Sequence, residues 1–473
     1  MAKKSTETRS ARRTRAHVPI TAYLFWIWVG LTLLISLSIL VLVQWKGPHG
    51  LDIVLYKGPL SRLQITMSAV VMVWLEAGLF LFLLSSGRIR KDNAFTWAGF
   101  FLITLLYINL LRERTDYGDA YSYIRGAQAL IDDQPFGRTY IYPPFWAILL
   151  KPIAPMGEKG AIDVLWNLNI PALGLFYFLS IRVLDRYGFS ERLAAALVTL
   201  FMLVNVPLLR TMLYLQVNLH VLNLIFVSLL LQRRSPFWSA LAMALAVHFK
   251  VSPAVLALAF LLEKDWRWLG WVSFHTLAIF GLTILSDGFQ PYLDYLYNLS
   301  LLNIPHGLNF RETSFDSFFG GFVQLIGRDY SLARPPIYLA KGLLAVTVFL
   351  TIARTIRQRL FHEGEASRLM NSFPPLMILM NMTSPLVWEH HGVFLVLVFL
   401  LLFKRIDTPL DWSWFGAAYF LEFLLPTFDF FPFSYGRLLA PLIVLWLIWR
   451  LPGGKRTSSF FKRTSHLLEE IRV

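Results

Sequence analysis

No cysteine occurs among the 473 residues, and only 15% of them are charged. The first absence excludes disulfides, thiolate catalysis and thiolate metal sites, and it removes redox chemistry as a guide to compartment. The second, set against 56% hydrophobic residues, excludes a soluble domain, which could not hide that much apolar surface from water. A polytopic, all-α membrane protein is left. The usual signatures of soluble enzymes are missing as well: there is no P-loop, GxGxxG, GxSxG or HExxH, and no Cys/His metal spacing. Internal repeats, heptad arrays and low-complexity tracts are also absent.

Acidic residues are scarce too, at 29 against 44 Lys and Arg, for a net charge of +15. This excess does not point to nucleic acid, because the basic residues gather at the ends of apolar runs. Those runs fall at 20–43, 66–86, 94–111, 161–183, 193–211, 217–232, 268–286, 336–355, 373–387, 392–403, 411–431 and 434–450. A close pair, 237–247 and 253–263, lies between the sixth and seventh. The first run follows a basic segment carrying Arg12 and Arg13. It is too long for a signal-peptide core and reads as a retained anchor. Basic clusters at 87–91, 182–192, 233–234, 264–267, 354–368, 404–405 and in the C-terminal tail occupy alternate connections. The positive-inside rule then predicts about 14 spans with both termini cytoplasmic. Residues 1–19 and 451–473 become basic cytoplasmic tails flanking one membrane domain, 20–450. The close pair is too short for two crossings, which need about 40 apolar residues. It reads as a broken helix lining a polar cavity, with His248, Lys250 and Pro253 at the break.

The remaining polar residues concentrate in the opposite connections, above all in the loops 112–160 and 287–335. Asp116 and Asp119 open the first loop. Ala120, Tyr123, Ile124, Ala127, Leu130 and Ile131 then follow at the spacing of a helix lying on the membrane surface. Asp119 is either the cap of that helix or a general base. Lys250 within an apolar stretch marks a site for an anion such as phosphate, or else snorkels to the interface. Trp388-Glu389-His390-His391 stands at a helix end and suits phosphate or sugar contact. Adjacent histidines point about 100° apart on a helix, which disfavours a shared metal. Gln216 and Asn218 mark another helix end. Arg311, Glu312 and Asp316 lie in the second loop, and for each of the two acids a solvated loop is a better fit than a site. Asn298-Leu-Ser300 and Asn381-Met-Thr383 match the glycan-acceptor pattern, which short chance matches also satisfy.

Taken together, four blocks resemble glycosyltransferase family 87, the GT-C-fold membrane transferases that use polyprenyl-phosphate sugars and include bacterial alpha-mannosyltransferases. The first block runs from Asp119 to Tyr123, through Ala127-x-Ala129-Leu130, Tyr140 to Pro144 and Lys151-Pro152, to Leu165-Trp166-Asn167. The second is Gln216-Val217-Asn218. The third is Lys250-x-x-Pro253 with Lys264 and Trp266-Arg267. The fourth is Ser384-Pro385-x-x-Trp388-x-His390-His391. Two positions depart from the family pattern. Leu215 stands where members often carry Gly, and Asp132-Asp133-Gln134 stands where Gly is also common.

The resemblance implies a GT-C fold of about 12 to 14 transmembrane helices, with an outward catalytic loop carrying interfacial helices. It implies an inverting transferase that moves a sugar, mannose being the first choice, from a polyprenyl-phosphate donor to a lipid or glycan hydroxyl on the outer face of a bacterial inner membrane. Asp119 maps to the catalytic aspartate, and Asp116 is an extra acid able to share that role. Lys250, His248, His390, His391, Trp388, Glu389, Gln216, Asn218, Tyr142 and Arg311 become candidate substrate contacts. No cofactor is expected, although two close aspartates leave a divalent ion open. The expected partners are the lipid-linked donor, a glycolipid or glycan acceptor, and the bilayer. A transporter or flippase of a lipid-linked sugar is the alternative. It should show related halves and acids at the bilayer midplane, neither of which is visible.

Overall fold

The structure is a computed structural model. It describes residues 20–46, 78, 82, 85–86, 94–111, 118–203, 205–301, 312–361, 368–425, 435–451, 461–462 and 464–466. The described residues are helical, with no strand among them. The chain divides into two compact units, residues 1–105 and 106–473, and the second holds the features described below.

Ile20–Lys46 and Ala94–Leu111 coincide with the first and third expected runs. The expected run 66–86 lies outside the described residues apart from four isolated positions. In the second unit, three helices among the described residues are long and apolar enough to cross a membrane: Ala154–Arg186, Trp266–Asp287 and Tyr330–Gln358. This makes the chain an all-helical membrane protein. Other expected runs appear as shorter helices broken at proline and polar caps. Glu191–Leu203 and Val206–Leu213 meet at a 66° bend. There the Asn205 side chain accepts from the Leu208 N–H at 2.8 Å, and Pro207, which has no N–H, sits in the first turn of the new helix. Thr408 likewise accepts from the Asp411 N–H at the start of Pro409–Tyr419. The close pair is broken as expected. Pro236–Phe249 ends at an extended Lys250, and a short 3₁₀ turn, Ser252–Leu256, leads into Ala257–Leu262. A 14-residue helix rises only about 21 Å, short of the roughly 30 Å of a bilayer core. Pro236–Phe249 packs between Asn218–Leu231 and Trp266–Asp287.

The centre of this unit is formed by Phe373–Met382, the 3₁₀ segment Glu389–Leu395 and Val396–Leu402, in which every residue is buried. Burial on all sides places these helices inside the bundle, with other helices between them and the lipid. Phe373–Met382 packs on Ser252–Leu256, and Glu389–Leu395 packs on Val206–Leu213. The Lys250 break, the Gln216 turn and the two histidines are thereby drawn to one place.

The polar loop folds onto this bundle through few but specific contacts. Asp119–Ile131 is the amphipathic helix that its spacing predicts, and Ala120, Tyr123, Ile124 and Ala127 form its buried face. The Tyr140 ring lies against that helix at Gly126, where a Cβ would stand 2.5 Å from the ring. The Tyr140 hydroxyl accepts from the Ala147 N–H at 3.0 Å and donates to the Pro143 carbonyl at 3.1 Å, shaping the turn into Pro144–Leu150. Lys151 pairs with Asp287 at 2.6 Å, tying the loop to the end of Trp266–Asp287. Asn298 is buried and donates to the Gly137 and Tyr140 carbonyls at 3.0 and 2.9 Å. Asn381 is buried within Phe373–Met382. Neither amide is presented for glycosylation, so both sequence matches are chance.

A side chain at Gly126 must displace the Tyr140 ring. Gly126→Val should therefore destabilise the detergent-solubilised protein by about 1–3 kcal/mol, read as a lowered midpoint of thermal unfolding. An unchanged midpoint would mean that the loop is not packed on this helix.

Candidate active site

Asp119 enters the site because the chain turns at Gly118, whose φ of 33° suits glycine. A Cβ there would meet the Tyr214 ring at 2.9 Å. Asp119 is the first residue of its helix, and its Oδ2 accepts from the Gln216 side-chain amide and from the Tyr142 hydroxyl, the latter at 3.3 Å. Gln216 is fully buried. Its Oε1 accepts from Tyr123 at 3.1 Å and from Tyr142 at 3.4 Å. Among the described residues nothing bonds Asp119 Oδ1. Burial raises the Asp119 carboxyl above the ordinary carboxylate value; the Gln216 hydrogen bond, the Lys250 charge and the Tyr142 hydrogen bond each pull it back.

Lys250 leaves the end of its helix in extended conformation and reaches the same space. Its Nζ donates to Asn218 Oδ1 at 2.7 Å and lies 2.6 Å from His391 Nε2. On the other side of the ring, His391 Nδ1 accepts from the Trp388 N–H at 2.9 Å, which fixes the orientation of the imidazole. Asn218 also donates to the His390 carbonyl at 3.5 Å, and Thr211 donates to it at 3.2 Å. The two histidine rings nevertheless lie with centroids 4.5 Å apart, side by side on the cavity wall. Among the described residues no group of three His, Asp or Glu side chains is placed to hold a metal ion.

These groups line one cavity of about 700 Å³. Asp119, Tyr142, Lys250, Trp388, His390 and His391 all face it. Gln216 and Asn218 stand behind this lining and hold Asp119 and Lys250. Two expected contacts are directed elsewhere. His248 Nε2 is bonded to the Thr276 carbonyl at 3.0 Å, and its ring stacks edge-on to Phe145. Glu389 pairs with Arg437 at 2.7 Å and Arg210 at 3.2 Å, behind the cavity wall. A buried carboxylate needs such partners, and Glu389 thereby anchors the histidine segment. Asp116 and Arg311 lie outside the described residues.

The cavity also contains residues that the sequence did not single out as a site. Tyr214 packs over Gly118 and edge-on to His390. Arg138 and Tyr295 line it, as does Glu312, expected above to be a solvated loop acid. Proximity in sequence to the Tyr140 and Gln216 blocks was the available signal for Arg138 and Tyr214. Glu312 had none, because its approach is long-range. The two departures from the glycine pattern are both left-handed: Leu215 has φ 50° and Asp133 has φ 51°. That conformation costs a non-glycine residue about 1–2 kcal/mol. Burial of the Leu215 side chain returns about 1.5–3 kcal/mol. Asp133 is exposed, and aspartate is among the residues that tolerate this region.

The family model of glycosyltransferase family 87 matches residues 140–385, just over half of the chain, and the chain belongs to that family. It is accordingly a glycosyltransferase. The match takes in Tyr142, Gln216, Asn218 and Lys250; Asp119 precedes it, and Trp388 and the histidines follow it. The chain is 26% identical over 372 residues to the polyprenol-phosphate-mannose-dependent alpha-(1-2)-phosphatidylinositol pentamannoside mannosyltransferase of Mycolicibacterium smegmatis, covering 72% of this chain and 86% of that one. It is 25% identical over 353 residues to the protein of the same description from Mycobacterium tuberculosis, covering 68% and 77%.

Replacing Gln216 with Leu removes a hydrogen bond that stabilises the Asp119 anion. If deprotonated Asp119 is required, the acid limb of the transfer rate should move to higher pH in Gln216→Leu. The wild-type limb should already lie above the ordinary aspartate value of 3.8. Superimposable pH profiles for the two proteins would disconnect Gln216 from the titrating group.

Proposed function

We propose that this glycosyltransferase moves mannose from a polyprenyl-phosphate donor to a hydroxyl of a glycolipid or glycan acceptor, with inversion at the anomeric carbon. The observation that carries the reading is the pairing, across one cavity, of a carboxylate with a free oxygen and a lysine held by neutral partners. The mannosyltransferase relatives favour the same donor and a mannoside acceptor.

In the proposed reaction, Asp119 Oδ1 takes the proton of the acceptor hydroxyl. The freed oxygen lone pair attacks the anomeric carbon. The bond from that carbon to the phosphate oxygen breaks on the opposite face, and its electron pair leaves with the polyprenyl phosphate. A beta-linked donor thus gives an alpha-mannoside. The departing dianion requires a fixed positive charge in a site of low dielectric, which Lys250 supplies. His391 and His390 stand beside it as hydrogen-bond partners, and Trp388 and Tyr142 offer ring faces and a hydroxyl to the sugar. The surrounding architecture in this reading is a GT-C fold of about 12 to 14 spans. Both basic tails are cytoplasmic, and the Asp119 loop opens to the outer face of a bacterial plasma membrane.

The test is transfer of radiolabelled mannose from polyprenyl-phosphate mannose in membranes carrying each variant. Asp119→Asn should reduce transfer by at least about 100-fold while donor binding persists; wild-type turnover in that variant would move the base elsewhere. Lys250→Ala should weaken donor binding or transfer by about 10-fold or more, and unchanged values would remove Lys250 from the phosphate site. Movement of intact donor across the bilayer without label transfer would favour a flippase.

A further inference from the structure

Glu312 is the second acidic residue lining the cavity, and its setting differs from that of Asp119. Asp119 is held by Gln216 and Tyr142. Among the described residues no hydrogen-bond donor reaches the Glu312 carboxylate, and the charged neighbour that acts on it is another acid, Asp316, in the first turn of Phe315–Leu325. Asp316 is itself occupied by Lys341 at 2.5 Å.

The backbone beside Glu312 is firmly held. The Thr313 N–H donates to the Val387 carbonyl at 2.7 Å, and the Thr313 hydroxyl donates to the same oxygen at 3.1 Å. The Ser314 hydroxyl donates to the Pro385 carbonyl at 2.9 Å and caps Phe315–Leu325 by accepting from the Ser317 N–H. Glu312 is therefore fastened to the segment that carries Trp388, His390 and His391, while its carboxylate is left unpartnered in the cavity. A half-buried polar group without a partner is costly unless a ligand supplies one. A fixed backbone under an open side chain is the arrangement of a ligand contact.

The proposed function above restricts what that ligand can be. The Glu312 carboxyl offers oxygen acceptors to hydroxyl groups and, when ionised, repels a phosphate, which favours a hydroxyl-bearing sugar over the donor phosphate as its partner. The donor sugar is bonded directly to that phosphate. The acceptor approaches from the opposite face of the anomeric carbon, where an anion is separated from the phosphate charge. We propose that Glu312 binds hydroxyl groups of the acceptor sugar and orients the attacking hydroxyl toward Asp119, making it a specificity-determining residue of the acceptor subsite. This rests on the transferase reading of the site.

The test uses the full-length protein in lipid nanodiscs, with polyprenyl-phosphate mannose as donor and octyl α-mannoside or octyl α-glucoside as acceptor. Glu312→Ala should raise the KM for the alkyl mannoside about 10-fold or more, with kcat changed far less and the donor KM unchanged. Glu312→Gln keeps a carbonyl acceptor and should recover part of that loss. The unchanged donor KM serves as the control for folding. An unaltered acceptor KM in both variants overturns the assignment, and a rise confined to the donor KM assigns Glu312 to the donor sugar instead. Failure of the wild-type protein to use either acceptor, with donor intact, overturns α-linked hexosides as the acceptor class and this proposal with it.

Discussion

Gln216 is fully buried, and its one amide joins three pieces of chain that are far apart in sequence. It donates to Asp119 at the head of the loop helix, and it accepts from Tyr123 within that helix and from Tyr142 beyond it. An unpaired amide in an apolar interior costs several kcal/mol, as does an unpaired carboxylate. Each group is therefore tolerable only because the other is present. Asp119 and the tyrosines, by satisfying this amide, fix the register of the polar loop on the bundle together with the Lys151–Asp287 pair and the Asn298 hydrogen bonds. Leu215, held in a left-handed turn by the burial of its side chain, aims the amide at them.

The cation side of the cavity follows the same logic. Lys250 is available because the helix before it ends there, and its charge is met by the Asn218 carbonyl oxygen and a histidine nitrogen. Neither partner is an acid, so neither forms an ion pair with Lys250 that an incoming anion would have to break. His390 and His391 are steadied from behind by Glu389, which Arg437 and Arg210 hold in turn. Gly392 follows directly, and a Cβ there would collide with Glu422. In the proposed reaction, the free Asp119 oxygen takes the acceptor proton while Lys250 faces the phosphate leaving group across the same cavity. The membership of the chain in glycosyltransferase family 87 is consistent with that chemistry.

The sequence and the structure part company at the helix breaks and at individual contacts. The runs 217–232, 268–286 and 336–355 appear close to where hydropathy places them. The run 193–211 is cut by Asn205 and Pro207, whose capping role could be read only weakly against continuous hydrophobicity. His248 and Lys250 are two residues apart and looked equivalent. The first ends a helix and turns to the Thr276 carbonyl, while the second is extended and faces the cavity. Glu389 belonged to a promising motif and proves to be held by two arginines. Glu312 looked like solvent-exposed loop and lines the site.

Composition and pattern alone determined that this is a helical membrane protein, where its polar chemistry is concentrated, and which blocks mark the family. Those properties are local: an apolar run, an amphipathic spacing and a short motif each carry their meaning within a few turns of chain. Tertiary structure decided which polar side chains share a cavity and which are spent on one another. Burial of a polar group is settled by partners 74 to 141 residues away, as with Asp119 and Gln216, Lys250 and His391, or Thr313 and Val387. The cost of leaving a buried polar group unpaired sets that pairing, and no stretch of sequence contains both halves of it.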